Sequence, residues 1–113
     1  MKKVVVLGST GSIGVNTLKV VGDHPGEFEI VGLSARNNVE LLSEQVRAFK
    51  PRWVALQDES RLPQFRRLVG EHPIQILGGE EGVVELAGKE NVDLVVVAIT
   101  GAAALKPTLA AIA

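Results

Sequence analysis

The segment from Lys2 to Gly14 constrains this chain more than any other, because it joins an apolar run to three glycines at three-residue spacing. The run Val4 to Leu7 is typical of a strand that is buried on both faces. After the glycines, apolar residues recur at helical intervals. We therefore predict a strand, a tight turn and a helix, with backbone N–H groups of the turn exposed where the helix dipole favours a phosphate.

The rest of the chain alternates short β-branched runs with longer helical patterns. Further strands are predicted at residues 28–33, 53–56, 74–77 and 93–99, and helices at 12–23, 39–49, 58–69, 80–87 and from about 105 onward. The unbroken apolar runs of the first and fifth strands place these two side by side at the centre of the sheet. Right-handed crossovers then predict a Rossmann-like doubly wound α/β fold, with parallel strands in the order 4-3-2-1-5 and helices on both faces.

The carboxyl ends of the first and fifth strands meet at the switch point, where open α/β sheets bind their ligands. These ends carry Gly8 to Gly14 and the pair Thr100-Gly101. Three glycines between a strand and a helix, inside a βαβ unit, are the context that dinucleotide binding requires. The alternative is that the glycines serve only a tight turn and close packing. A Walker A loop is excluded because no Lys-Ser or Lys-Thr pair follows.

Hydroxyl groups accompany the glycines at Ser9, Thr10 and Ser12. These hydroxyls can hydrogen-bond phosphate oxygens beside the backbone N–H groups of the turn. The alternative is that they cap the helix, and for Ser12 the two interpretations have equal weight because serine is a frequent N-cap residue.

The loop after the second strand, Ser34 to Asn38, contains a cation where domains that prefer NAD usually carry Asp or Glu. The guanidinium of Arg36 suits a ribose 2′-phosphate through charge-assisted bidentate contacts, so we predict NADP over NAD. The alternative is an arginine that is merely solvated. Asn37 or Asn38 can cap the helix that follows.

Composition excludes several other classes of function. The formal net charge is −1 and the basic residues are scattered among acidic ones, so nucleic acid is not an expected partner. The absence of cysteine excludes disulfides, zinc–thiolate sites and thiol catalysis, and agrees with the cytoplasmic location that we expect. No apolar run could span a bilayer, so we expect no membrane association. No nucleophile or carboxylate cluster accompanies His24 or His72, so we expect neither a catalytic residue nor a metal site in this chain.

A chain of 113 residues has the length of one domain. The last predicted helix is still apolar at Ala113 and no glycine or basic turn ends it. We therefore expect the chain to be a fragment of a longer protein.

Three segments closely resemble the 1-deoxy-D-xylulose 5-phosphate reductoisomerases, and the likeness covers all 113 residues. The segments are residues 6–14, 35–39 and 98–112. The resemblance implies that residues 1–113 form an N-terminal NADPH-binding domain. It implies a pyrophosphate site at Thr10, Gly11, Ser12 and Ile13 within the Gly8 to Gly14 turn, a 2′-phosphate site at Arg36, Asn37 and Asn38, and a nicotinamide site near Gly101 and Ala102.

The chain departs from the family pattern at two places. Many members carry Gly-Lys where this chain has Arg36-Asn37, so the cation is shifted by one position and its contact geometry differs. Ala104 replaces a frequent glycine in the loop after the fifth strand, and we expect this change to alter that turn and to leave the phosphate site intact.

The resemblance also implies the activity of a longer parent enzyme. Such an enzyme rearranges 1-deoxy-D-xylulose 5-phosphate and reduces the resulting aldehyde with NADPH to 2-C-methyl-D-erythritol 4-phosphate, for isoprenoid precursors by the non-mevalonate route. Its divalent metal (Mg or Mn) and sugar-phosphate site belong to a catalytic domain beyond Ala113, and the parent is a homodimer. Two alternatives are another NADP-dependent dehydrogenase, similar to aspartate-semialdehyde dehydrogenase, and a non-catalytic dinucleotide sensor.

Overall fold

Five parallel strands form one sheet in the order β4-β3-β2-β1-β5, which confirms the predicted order. The computed structural model describes residues 1–99. Its elements are β1 (Lys2–Leu7), α1 (Ser12–Gly22), β2 (Phe28–Ala35), α2 (Val39–Phe49), β3 (Trp53–Leu56), a 3-10 helix (Glu59–Arg61), α3 (Leu62–Val69), β4 (Gln75–Gly78), α4 (Gly79–Ala87) and β5 (Leu94–Val97). The helix predicted from about residue 105 lies outside the described residues.

Helices cover both faces of the sheet, as predicted. Because successive side chains of a strand point to opposite faces, β1 supplies both cores. Val4 and Val6 belong to the core that α1, α2 and α3 cover, in which Phe65 of α3 is fully buried. Val5 and Leu7 belong to the core on the other face, which α4 covers. The alternation along β1 therefore joins the two cores at one strand.

The predicted pairing of the first and fifth strands is confirmed. Val4 of β1 lies between Ile30 of β2 and Leu94 of β5. Within residues 1–99, however, β5 forms one end of the sheet and not its centre, and Leu94 is 46% exposed. β5 is also shorter than predicted, and the Asp93 carboxylate just before it accepts a hydrogen bond from the backbone N–H of Lys3.

Asparagine and aspartate side chains begin two of the helices. Asn38 Oδ1 accepts a 3.2 Å hydrogen bond from the backbone N–H of Leu41, so Asn38 caps α2 as predicted. Asp58 accepts hydrogen bonds from the backbone N–H and the hydroxyl of Ser60, so it begins the 3-10 helix. The prediction that Asp58 caps α3 is therefore wrong. The Ser60 hydroxyl holds the pKa of the Asp58 carboxyl below its ordinary value.

Membrane insertion through a helix has no support in the described chain. Within residues 1–99, none of the helices combines the length and the apolar character that a bilayer crossing needs.

Candidate functional site

A cleft of about 370 Å³ opens at the carboxyl end of the sheet. It brings together six of the predicted site residues, which are Gly8, Thr10, Gly11, Arg36, Asn37 and Asn38. Six further residues complete its lining and were not predicted as site residues: Ser34, Ala35, Gln57, Val83, Ala98 and Ile99. The glycine turn and the loop after β2 therefore share one cleft, at the switch point of the sheet.

The other predicted site residues lie beside the cleft or outside the described residues. Ser12 and Ile13 are exposed in the first turn of α1, and Gly14 is buried in the same turn. The N-cap of α1 is Gly11, with no side-chain hydrogen bond, so the alternative that Ser12 caps this helix is wrong. Gly101 and Ala102 lie outside the described residues.

The three glycines of the turn meet three different requirements. Gly8 has φ +82°, a conformation that side chains disfavour. A β-carbon on Gly14 would overlap the backbone of Gly8 and Ser9. Gly11 has an ordinary φ of −77°, and the nearest atom to a β-carbon there would be the Gly8 carbonyl oxygen at 3.7 Å. The turn and its packing therefore explain Gly8 and Gly14, whereas Gly11 leaves bare backbone at the wall of the cleft.

The backbone N–H groups of the turn divide into bonded and free donors. The N–H groups of Gly8 and Ser9 donate to the Ser34 carbonyl oxygen at 3.1 and 2.8 Å. In the described part of the chain, the N–H groups of Thr10, Ser12 and Ile13 have no acceptor. These three N–H groups lie at the N-terminus of α1, where the helix dipole is positive, so they can bind an anion.

Ser9 does not have the role that we predicted for its hydroxyl. Its side chain is fully buried, and the hydroxyl donates to Gln45 Oε1 at 2.7 Å and also lies 3.2 Å from the Ser34 carbonyl oxygen. Gln45 Nε2 in turn donates to the Ser9 carbonyl oxygen at 2.8 Å. The Ser9 hydroxyl is therefore part of the protein interior and does not face a ligand.

The loop that contains Arg36 is held by an extension of the pairing between β2 and β3. The backbone N–H groups of Gln57 and Asp58 donate to the carbonyl oxygens of Ala35 and Arg36, at 3.0 and 2.9 Å. The Arg36 side chain is exposed, and no carboxylate of residues 1–99 forms an ion pair with it. A backbone that is fixed and a guanidinium without an internal partner suit the binding of an external anion.

Gln57 is a cleft residue that the sequence analysis missed. It directly follows β3, and the carboxyl ends of neighbouring parallel strands meet at one edge of a sheet. The same rule that located the glycine turn and Arg36 could therefore have located Gln57. Val83 has no comparable signal, because it reaches the cleft from α4 on the opposite face.

The part of the chain that the structure describes offers no metal site. No group of three or more His, Asp or Glu side chains within residues 1–99 is placed to hold a metal ion.

A doubly wound parallel sheet, free backbone donors at the first helix and a cation after the second strand are features typical of dinucleotide-binding domains. The family model described as 1-deoxy-D-xylulose 5-phosphate reductoisomerase matches residues 4–113. The chain belongs to this family of reductoisomerases.

Curated relatives match almost the whole chain with a minor part of their own length. The 1-deoxy-D-xylulose 5-phosphate reductoisomerase of Microcystis aeruginosa is 50% identical over 115 residues, which cover 99% of this chain and 29% of that protein. The reductoisomerase of a Thermoanaerobacter species is 52% identical over 112 residues, with the same coverage. The chain thus spans about 29% of the length of these relatives. Neither of the two alternative functions receives support from these matches.

Solved structures agree with the fold. A crystal structure of DOX-P reductoisomerase in complex with NADPH, fosmidomycin and magnesium has a TM-score of 0.92 at 36% identity, and covers 98% of this chain and 28% of that chain. The reductoisomerase of Zymomonas mobilis in complex with NADPH has a TM-score of 0.92 at 31% identity, with coverages of 98% and 29%. These similarities confirm the Rossmann-like fold.

Proposed function

We propose that this chain is the NADPH-binding domain of a 1-deoxy-D-xylulose 5-phosphate reductoisomerase. The observation that carries the proposal is a single cleft lined by both the glycine turn and Arg36. A dinucleotide with an extra phosphate needs anion sites at two places, and the cleft offers both of them. Membership of the family, and NADPH in similar structures, support the same assignment.

The turn binds the pyrophosphate in this proposal. The free N–H groups of Thr10, Ser12 and Ile13 donate to its oxygens, and the Thr10 and Ser12 hydroxyls lie beside them. Gly11 lets the phosphate approach the backbone closely, because no side chain covers it. Gly8 and Gly14 keep the turn in shape, and Gly8 also lines the cleft.

The loop after β2 binds the 2′-phosphate. Arg36 supplies a guanidinium that matches a phosphate in charge and in the geometry of its donors. Asn37 and Asn38 line the same part of the cleft. Because NAD lacks the 2′-phosphate, Arg36 gives the domain its preference for NADP.

The whole protein carries out the reaction, and this chain binds and orients the cofactor. Bound NADPH supplies the hydride that reduces the aldehyde formed from 1-deoxy-D-xylulose 5-phosphate. Gly101 and Ala102 form the nicotinamide end of the site. The sugar-phosphate site and the divalent metal, Mg or Mn, belong to the remaining length of the protein. We also propose that the parent is a cytoplasmic homodimer and that residues 1–113 alone are inactive.

The test is a titration of the full-length protein with NADPH and with NADH, followed by cofactor fluorescence. We expect saturable binding of NADPH and markedly weaker binding of NADH. A folded protein that binds neither cofactor contradicts the proposed function. A protein that binds both equally contradicts the role of Arg36 and leaves dinucleotide binding intact.

A further inference from the structure

We propose that Gln45 is a positioning residue for the cofactor. Its side chain joins the turn Gly8 to Gly14, which binds the pyrophosphate, to helix α2, which follows the 2′-phosphate loop. The proposal rests on the function proposed above. Gln45 lies outside the cleft lining, so it acts through Ser9 and not by contact with the ligand.

Gln45 makes a two-point contact with one residue of the turn. Its Oε1 accepts the Ser9 hydroxyl at 2.7 Å, and its Nε2 donates to the Ser9 carbonyl oxygen at 2.8 Å. Both ends of the amide are thus used on Ser9, which lies between Gly8 and Thr10. Two hydrogen bonds to one residue restrict its rotation as well as its position, so Gln45 fixes the direction in which the chain enters Thr10 and Gly11.

The other side of Ser9 is fixed by the end of β2. The Ser34 carbonyl oxygen accepts the N–H groups of both Gly8 and Ser9, and the Ser34 hydroxyl accepts the N–H of Gly8 at 3.0 Å. Ser9 is therefore held between β2 and α2. Ser34 belongs to the strand that pairs with β1, whereas Gln45 contacts Ser9 from a helix.

Helix α2 connects the two phosphate sites. Asn38 caps this helix, and the loop from Arg36 to Asn38 leads directly into it. Gln45 lies two turns further along the same helix, which spans Val39–Phe49. Because a helix is stiff over two turns, the bonds of Gln45 to Ser9 add a second constraint, besides the bonds of Ser34, on the distance between the glycine turn and Arg36. NADPH has its pyrophosphate and its 2′-phosphate on one nucleoside, so this distance must match the ligand.

Packing alone does not call for an amide at this position. Gln45 is only 7% exposed, and a buried amide is costly unless its polar atoms are bonded. An apolar side chain of similar length would fill the same space, but it would leave the Ser9 carbonyl oxygen without its donor. The amide therefore differs from an apolar side chain in one respect, which is that it forms hydrogen bonds with Ser9.

The test compares Gln45→Met with unchanged full-length protein in titrations with two ligands. NADPH engages both phosphate sites, whereas adenosine 2′-monophosphate carries the 2′-phosphate and has no phosphate for the glycine turn. We expect about a tenfold weaker affinity for NADPH, in line with the loss of two buried hydrogen bonds, and a much smaller change for the monophosphate. Equal weakening of both ligands, or no weakening of either, overturns the proposal.

Two variants on the same helix control for a general loss of stability. Ser43 is buried, and its hydroxyl donates to the backbone carbonyl oxygen of Glu40 within α2, so Ser43→Ala removes a hydrogen bond that does not involve the turn. Val46→Ala removes buried apolar volume next to Gln45. Both variants should lower the melting temperature without changing the ratio of the two affinities. A changed ratio in these controls would assign the effect to stability and overturn the proposal.

Ser9→Ala is a second variant that tests the same contact if Gln45→Met folds poorly, and a double-mutant cycle of the two measures their coupling. Ser9→Ala alone removes one of the two bonds, so it should weaken NADPH binding less than Gln45→Met does. The double variant should bind more tightly than the sum of the two single losses predicts; additive losses overturn the proposal. Failure of the unchanged protein to bind NADPH would instead contradict the proposed function.

Discussion

The carbonyl oxygen of Gly8 occupies the space that a β-carbon on Gly14 would need. The first turn of α1 thus packs directly against the turn that precedes it, backbone to backbone. This contact places the N-terminus of α1 against the end of β1, with the free N–H group of Thr10 at the cleft and those of Ser12 and Ile13 beside it.

Gly14→Ala should destabilise the protein, because the added methyl group meets backbone that cannot move aside. We expect a loss of at least about 2 kcal/mol in the free energy of unfolding, as overpacking of a core typically costs. Urea denaturation of the two proteins measures this loss of unfolding free energy. Gly22→Ala is the matched control in the same helix, since a β-carbon at Gly22 has no atom within 4 Å, and it should be neutral or slightly stabilising. Equal stability of the two variants would contradict the packing role of Gly14.

Gly11→Ala should weaken cofactor binding without lowering the stability of the protein. Its backbone angles suit alanine and its surroundings leave room for a methyl group, so the free energy of unfolding should stay near that of the unchanged protein. NADPH affinity should fall by at least about tenfold, or about 1.4 kcal/mol, because the methyl group occupies the path of the phosphate. Unchanged NADPH affinity would show that Gly11 is not part of the phosphate site.

Arg36→Ala should change the choice of cofactor. Hydrogen bonds to charged groups contribute about 1.5–3 kcal/mol, so NADPH affinity should fall by about 10- to 100-fold while NADH affinity stays nearly constant. Titrations with both cofactors measure the ratio. Arg67→Ala, at an exposed position of α3 away from the cleft, is the control and should leave both affinities unaltered. Equal loss of both cofactors in Arg36→Ala would contradict a 2′-phosphate contact.

The neighbouring asparagines Asn37 and Asn38 should differ in stability. Asn38→Ala removes the side-chain cap of α2 and should cost about 1 kcal/mol of unfolding free energy. Asn37 makes no side-chain hydrogen bond within residues 1–99, so Asn37→Ala should have little effect on stability. Thermal denaturation of the two variants distinguishes the roles, and a larger loss in Asn37→Ala would refute the assignment of the cap.

The strand order could be predicted because the sheet depends on features that a sequence displays. Unbroken apolar runs mark β1 and β5, and the handedness of crossovers then leaves one arrangement of the other strands. Gly8 follows β1 and Arg36 follows β2, and the expectation that the carboxyl ends of parallel strands lie together correctly placed both residues in one cleft. Periodicity was less informative at the ends of elements. β2 continues through Ser34 to Ala35, beyond its apolar run, because these two residues pair with Ala55 and Leu56 of β3.

The roles of individual polar side chains could not be predicted. The sequence places Ser9 next to Thr10 in the turn, and both hydroxyls are equally plausible ligands for a phosphate. Only the packing of α2 separates them, since Gln45 is distant in sequence and takes the Ser9 hydroxyl into the interior. Val83 belongs to α4, on the other face of the sheet, so its place in the cleft likewise depends on how the helices pack.

The position of β1 between two partners has a consequence for how the domain folds. Val4 pairs with Ile30, which is near in sequence, and with Leu94, which is far away. Closing the longer loop costs more chain entropy, so strands β1 to β4 can assemble while the far edge of β1 is still open. Ala98 and Ile99 follow β5 into the cleft, so the strand pairing that closes the longer loop is also the one that completes the cleft.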